Sequence, residues 1–194
     1  MPVLILIPAA GGSTRMRGGD KLLEPVGGVP LLRRQAEIAA AVAPVLVTLR
    51  PDRPDRGTVL AGLGVATATL PDAGEGMAAS LRAGAKAAMG GALMVLPGDM
   101  PEIDADDLRV VLQAHGDAPD AIWRGAGADG TPGHPVLFPS DLVAELGALV
   151  GDEGARAVLA RHKARVRLVP LPAAHALTDL DTPEDWATWR ARQT

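Results

Sequence analysis

Cysteine is missing from the 194 residues. That excludes disulfides, thiolate metal sites and cysteine nucleophiles, and it is compatible with a cytoplasmic protein. Aromatic residues make up only 2% of the chain, so the stacking platforms of single-strand nucleic-acid binders are scarce. No apolar run is long enough to span a bilayer, and "MPVLILIPAAGG" has no basic segment ahead of it, so neither a membrane helix nor a signal peptide is expected. An excess of positive charge is lacking too. A formal net charge of −4 argues against a general nucleic-acid or anionic-membrane binder, while leaving room for a local cationic pocket.

What is present points to a packed core. Hydrophobic residues reach 47%, which excludes disorder, and the length fits a single domain over 1–194. With so few aromatics, Leu, Val, Ile and Ala must fill the interior, a composition suited to helices packed closely on a sheet.

Strand-like and helix-like runs alternate. "VLILI" near the start is a continuous apolar run, as in a strand buried on both faces. "PLLRRQAEIAAA" from Pro30 has Leu31, Gln35 and Ile38 at helical spacing, with proline in the first turn. "PVLVTL" (44–49), "VATATL" (65–70) and "ALMVLP" (92–97) read as further strands. "GMAASLRAGAKAAM" (76–89) reads as a helix, and another is expected from Asp104 to Ala114. Later, "DAIWRG" and "HPVLF" read as strands joined by a glycine-rich loop, followed by short helices near 140–147 and 152–162, a strand "RVRLVPL" and a last helix from Pro183. "RPDRPDRG" (50–57) reads as a surface loop. The alternation predicts a three-layer α/β/α fold around a mainly parallel, mixed sheet.

Three stretches carry chemistry. The loop after the first strand, "PAAGGSTRMRGGDK", lies where open α/β sheets bind ligands. Its small residues let backbone N–H groups approach an anion, and Arg15, Arg17 and Lys21 could neutralise a polyphosphate. A solvated loop with snorkelling cations explains the same residues, and from the residues alone the two readings stand level. Asp99, just past the strand "ALMVLP", suits Mg²⁺, which takes one or two protein oxygens together with phosphate oxygens. Asp104, Asp106 and Asp107 have a simpler use, capping and starting the next helix. In "LTDLDTPEDW", Thr182 or Asp181 caps the helix at Pro183, and Trp186 and Trp189 dock it. Asp179 and Asp181 remain exposed candidates for a second metal ligand.

Other chemistries fail on spacing. There is no GxxxxGK[ST] phosphate loop, and the GxGxxG match "GAGADG" (125–130) runs into "TPGHPVLF" rather than a helix, as a hairpin would. His115, His134, His162 and His175 stand singly, without zinc-ligand spacing. No GxSxG elbow is present.

Taken in order, "AAGGSTRMRGGDKLL", "GEGMAASLRAG", "LPGDMPEI", "GHPVLF", "GDEGAR" and "DLDTPED" resemble the molybdenum-cofactor nucleotidyltransferases, specifically the molybdopterin cytidylyltransferase branch, over nearly the whole chain. The resemblance implies a nucleotide-diphospho-sugar-transferase-like fold, CTP and Mg²⁺ as ligands, and molybdopterin as acceptor, giving molybdopterin cytosine dinucleotide and pyrophosphate. It also implies a transient contact with a molybdoenzyme.

By position, the resemblance implies that Ala9, Ala10, Gly11, Ser13 and Arg15 hold the base and triphosphate with Lys21, joined by Gly76, Ser80 and Gly98. Arg15, Lys21 and Asp99 become the catalytic set, and Asp99 and Asp181 the metal ligands. His134, Gly151, Asp152 and Arg156 face the acceptor. Arg17 stands at a customary glycine position, and Gly18 and Gly19 after it suggest a turn shifted by one residue. The guanylyltransferase relatives carry "LAGG" where this chain has "PAAG", so the Ala10 methyl is expected to narrow the base pocket toward a pyrimidine. The rivals are a guanylyltransferase or sugar-phosphate nucleotidyltransferase of the same fold, and a non-catalytic escort that binds nucleotide and pterin.

Overall fold

The computed structural model describes residues 2–71, 76–151 and 154–193. In chain order the elements are β1 (Val3–Pro8), the short strands β2 (Pro25–Val26) and β3 (Val29–Pro30), α1 (Leu31–Ala40), β4 (Val45–Leu49), α2 (Pro54–Thr58), β5 (Ala66–Thr69), α3 (Met77–Ala87), β6 (Ala92–Val95), α4 (Ala105–Asp117), β7 (Ile122–Ala126), β8 (Pro132–Phe138), α5 (Ser140–Gly147), α6 (Arg156–Arg161), β9 (Val166–Pro170) and α7 (Pro183–Ala191). Seven strands form one sheet in the order β5-β4-β1-β6-β8-β7-β9, and β2 pairs with β3 in a small antiparallel ribbon.

The sheet is parallel except for β8, which runs antiparallel to both β6 and β7. β9 returns parallel to β7. The expected three-layer α/β/α arrangement on a mainly parallel, mixed sheet is what forms. Alternation along the strands sorts the core into two faces. Ile5, Ile7, Val47 and Met94 pack with Leu32, Ala36, Leu108 and Val111, beneath α1 and α4. Leu6, Leu93 and Val95 point the other way, onto Leu81, Leu142 and Leu146 of α3 and α5.

Helix boundaries follow local chemistry. Asp104 accepts from the N–H groups of Asp106 and Asp107 in a capping box that opens α4, as its sequence position predicts. Thr182 does the same for α7 with Asp185 as its reciprocal partner. Trp186 and Trp189 meet edge to face with centroids 6.0 Å apart and are buried with Met16, Leu31 and Leu180, so they dock α7 as expected. No helix among the described residues is long and apolar enough to cross a membrane.

The sequence reading needs correction at "RPDRPDRG". Its second half is α2, and Arg56 in it is completely buried, not part of a surface loop. The stretch "GAGADG" closes the β7–β8 hairpin, with Asp129 accepting from the Thr131 N–H at 2.9 Å. The antiparallel course of β8 has a positional consequence. Val136 pairs with Val95, the last residue of β6, and β8 extends beyond that pair through His134 and Gly133 to Pro132, so the start of β8 reaches the same rim as the end of β6.

Candidate functional site: a groove along the carboxyl rim of the sheet

The loop after β1 is held open by a residue far from it in sequence. The Arg56 guanidinium donates to Asp20 in a fork (Nε–Oδ2 2.7 Å, Nη2–Oδ1 2.8 Å), to the carbonyls of Ala9 (2.6 Å) and Gly11 (2.7 Å), and to Ser13 Oγ (2.9 Å). Burial alone would raise the Asp20 pKa, but Arg56, with help from the Leu22 N–H and Ser13, holds the carboxyl below its ordinary value. Nothing in the spacing around Arg56 announces this role. A glycine-rich turn that aims its N–H groups outward leaves carbonyls pointing in, and only the tertiary fold reveals which donor meets them.

Within the loop, Arg17 has φ +51 and ψ +42, a left-handed conformation favoured by glycine. Gly18 directly after it also has a positive φ, +100, and the exposed Arg17 guanidinium pairs with Glu184 at 2.8 Å.

Lys21, at the end of that loop, joins the distant aspartates. Its Nζ contacts Asp99 Oδ2 and lies 2.6 Å from Asp181 Oδ1. Arg15 takes the other Asp181 oxygen at 2.7 Å. Lys21, Asp99 and Asp181 are each less than a fifth exposed. Burial opposes the charge on Lys21, yet Asp99 and Asp181 outweigh it and raise the pKa above the ordinary lysine value. Burial pushes the Asp179 carboxyl up, and the neighbouring Asp181 and Asp99 push it further. Two carboxylates thus converge on one cation. Such hard oxygen donors, with Asp179 beside them, fit Mg²⁺ or Mn²⁺.

Backbone stitching fixes this convergence. The Leu180 N–H donates to the Asp99 carbonyl at 3.1 Å. Glu102 accepts from Thr178 Oγ1 at 2.9 Å and from Trp189 Nε1 at 3.0 Å. On the other side, buried Gln35 of α1 donates to the Met100 carbonyl at 2.7 Å. The loop after β6 is pinned between α1 and the C-terminal segment.

A cleft opens beside these groups, lined by Pro8, Gly11, Ser13, Lys21, Gly76, Ser80, Gly98 and Asp99 among others. Most of the expected nucleotide-binding positions therefore share one wall. Ala9 and Ala10 are buried and are not part of it, so the narrowing expected from the Ala10 methyl finds no counterpart in the wall. A second cleft is lined by Arg124, His134 and Arg156 over Leu81, Val95, Val136 and Leu159. A third stretch, holding Arg15, Lys21, Asp99, His134, Arg156, Asp179 and Asp181, connects the two. Met77 and Pro97 wall all three, making one continuous groove.

Of the residues that the resemblance sets against the acceptor, His134 and Arg156 line the second cleft together. Gly151 is exposed and belongs to neither cleft wall, and Asp152 lies outside the described residues. Arg124 was missed by sequence reasoning. Its Nε donates to the Gly133 carbonyl at 2.7 Å, and it faces the same cleft as Arg156. A lone arginine in "DAIWRG" gives no signal of this. Burial, with repulsion from Arg124, lowers the His134 pKa to about 4, against an upward pull from Asp99. Its Nδ1 is buried and has no hydrogen-bond partner among the described residues.

A separate polar cluster, Asp104, Asp107 and His175, also comes together although the histidines stand singly in sequence. Its atoms are engaged in the α4 cap and in a 2.8 Å contact between His175 Nδ1 and Asp107 Oδ2.

Residues 5–166 match the model of the MobA-like NTP transferase domain. The chain belongs to this family. A bifunctional protein GlmU from Leifsonia xyli subsp. xyli is 35% identical over 119 residues, covering 57% of this chain and 24% of that protein, so the chain spans about a quarter of that relative's length. A molybdenum cofactor guanylyltransferase from Pseudomonas paraeruginosa is 34% identical over 122 residues, covering 63% of this chain and 61% of that one. A probable molybdenum cofactor guanylyltransferase from Natronomonas pharaonis is 28% identical and covers 96% of both chains. Among solved structures, the homologue of Mycobacterium tuberculosis Rv0371c from Mycobacterium sp. strain JC1 superposes with a TM-score of 0.81 at 25% identity, covering 98% of this chain and 96% of that one. Rv0371c of M. tuberculosis H37Rv in complex with manganese superposes with a TM-score of 0.73 at 25% identity, covering 97% of each. The family is thus that of the MobA-like NTP transferases, and the mixed sheet is of the nucleotide-diphospho-sugar transferase type.

Proposed function

We propose that this MobA-like protein transfers CMP from CTP to the terminal phosphate of molybdopterin, giving molybdopterin cytosine dinucleotide and pyrophosphate. The observation that carries the reading is the contact of Lys21, from the glycine-rich loop, with both Asp99 and Asp181 at one rim of the sheet. A cationic loop and two acidic residues remote from it are what a metal–triphosphate needs.

The nucleotide occupies the cleft between Gly11, Ser13, Ser80 and Gly98, and the acceptor lies along Arg124, His134 and Arg156. Asp99 and Asp181 would hold Mg²⁺, which supplies positive charge to phosphate oxygens. The manganese complex of the Rv0371c structure supports a divalent metal on this fold. An oxygen of the acceptor phosphate attacks the α-phosphorus as the bond to the β-phosphate oxygen breaks, so no proton has to move. A phosphate monoester is largely ionised at neutral pH, and His134, neutral at that pH, positions rather than deprotonates. Arg15 and Lys21 offset the charge that builds on pyrophosphate. Reach, orientation and charge do the work.

Two relatives named as molybdenum cofactor guanylyltransferases make GTP the main competitor for the cleft. Pyrophosphate release, measured with each of the four nucleoside triphosphates and with or without molybdopterin, separates the readings. CTP with molybdopterin is expected to release pyrophosphate, GTP would mark a guanylyltransferase, and no release with any nucleotide would leave an escort. Asp99→Ala is expected to abolish release while only partly weakening nucleotide binding; near-wild-type turnover would overturn the role of Asp99.

A further inference from the structure

Ser80 is a polar wall group of the nucleotide cleft whose orientation is set from behind. Ser80 lines the cleft from the first turn of α3 and is otherwise buried. Behind it lies Thr48, completely buried at the end of β4. Thr48 Oγ1 and Ser80 Oγ are 2.9 Å apart. The Thr48 carbonyl is engaged separately, accepting the Ala9 N–H at 3.0 Å.

A buried hydroxyl must place its proton on an acceptor. For Thr48 the only partner among the described residues is Ser80 Oγ, so Thr48 donates and Ser80 accepts. The Ser80 oxygen then has its own proton left. A serine in a helix often returns that proton to the carbonyl four residues back, but no such bond forms here. The remaining direction is the cleft. We propose that Thr48 is a positioning residue that fixes Ser80 as a donor to the nucleobase, which must therefore present an acceptor at that point. Cytosine offers O2 and N3 as neighbouring acceptors, whereas the corresponding edge of guanine leads with the N1–H and N2 donors. The Thr48–Ser80 pair thus selects cytosine through chemistry where the Ala10 methyl does not reach the wall. This inference rests on the reading of the cleft as the nucleotide site.

Calorimetric titration of CTP and of GTP into the wild type, Thr48→Val, Thr48→Ser and Ser80→Ala tests it, with thermal unfolding of each variant alongside. Valine keeps the shape of threonine and removes the donor, so Ser80 can turn its proton inward to another acceptor. Thr48→Val is expected to weaken CTP binding about fivefold to tenfold, the scale of one neutral hydrogen bond, with GTP binding changed less than about twofold. Thr48→Ser, which keeps the hydroxyl, is expected to bind CTP as the wild type does. Ser80→Ala should reproduce the CTP loss with Thr48 intact, and this arm remains should Thr48→Val fail to fold. Undiminished CTP binding in Thr48→Val or Ser80→Ala, or an equal loss for both nucleotides, would overturn the inference alone. A wild type that binds neither nucleotide, or binds only GTP, would overturn it together with the reading of the cleft.

Discussion

Arg56 carries more of the site than any residue that touches the groove. Five bonds from one buried guanidinium hold the loop after β1, and lysine can supply neither the fork nor the reach. Removing one member of a buried ion pair costs about 3–5 kcal/mol, so Arg56→Ala is expected to lower the unfolding free energy by that amount in urea titration. The Asp20 carboxyl has its folded pKa depressed, so its contribution is complete above the ordinary carboxylate value and is lost as pH falls through the folded one. Arg56→Ala should remove this acid-limb component. His134 acts in the same direction for another reason. Its pKa is lowered to about 4 from 6.5, so the unfolded chain takes up a proton first and stability falls as pH drops between those values. Its imidazole resonances in an NMR titration are expected to move near pH 4; a midpoint near 6.5 would contradict the burial argument.

At the scale of elements, β8 and the C-terminal segment decide where the chemistry meets. Gly133 of β8 has no room for a side chain, because a Cβ there would lie 1.9 Å from the Ala176 carbonyl oxygen. Gly133→Ala must push back the segment that leads to Asp179 and Asp181. We expect a stability loss of about 1–3 kcal/mol in denaturant unfolding, as for overpacking, and weakened Mn²⁺ binding from displaced carboxylates. The individual elements were legible in the sequence because their signals are local. Asp104 and Thr182 carry cap chemistry, Leu31 and Gln35 carry helical spacing, and "VLILI" reads as a doubly covered strand. Asp99 was legible because it follows a buried strand. Arg56 and Arg124 were not, since an arginine's partners lie in other elements and leave no trace in its own neighbours. The contact of Asp181 with Lys21 was not legible either, and Asp179 and Asp181 stood as alternatives in the sequence. The Leu180–Asp99 backbone bond, which places Asp181 on Lys21, joins residues far apart in sequence.

At the scale of the whole molecule, the family match ends at residue 166, yet the segment beyond it supplies Asp179, Asp181 and the two tryptophans that anchor α7. The negative net charge and the cationic loop are reconciled by placement. Arg15 and Lys21 stand at the one rim where Asp99 and Asp181 also converge, and there each sign neutralises the other until a ligand arrives. The central claim is that this rim grips a metal-bound nucleoside triphosphate. Anomalous diffraction from crystals grown with Mn²⁺ and CTP tests it most directly. The account predicts a manganese peak held by Asp99 and Asp181, with the triphosphate against Lys21 and the glycine-rich loop. Manganese at Asp104, Asp107 and His175 instead, or nucleotide outside the groove, would contradict it.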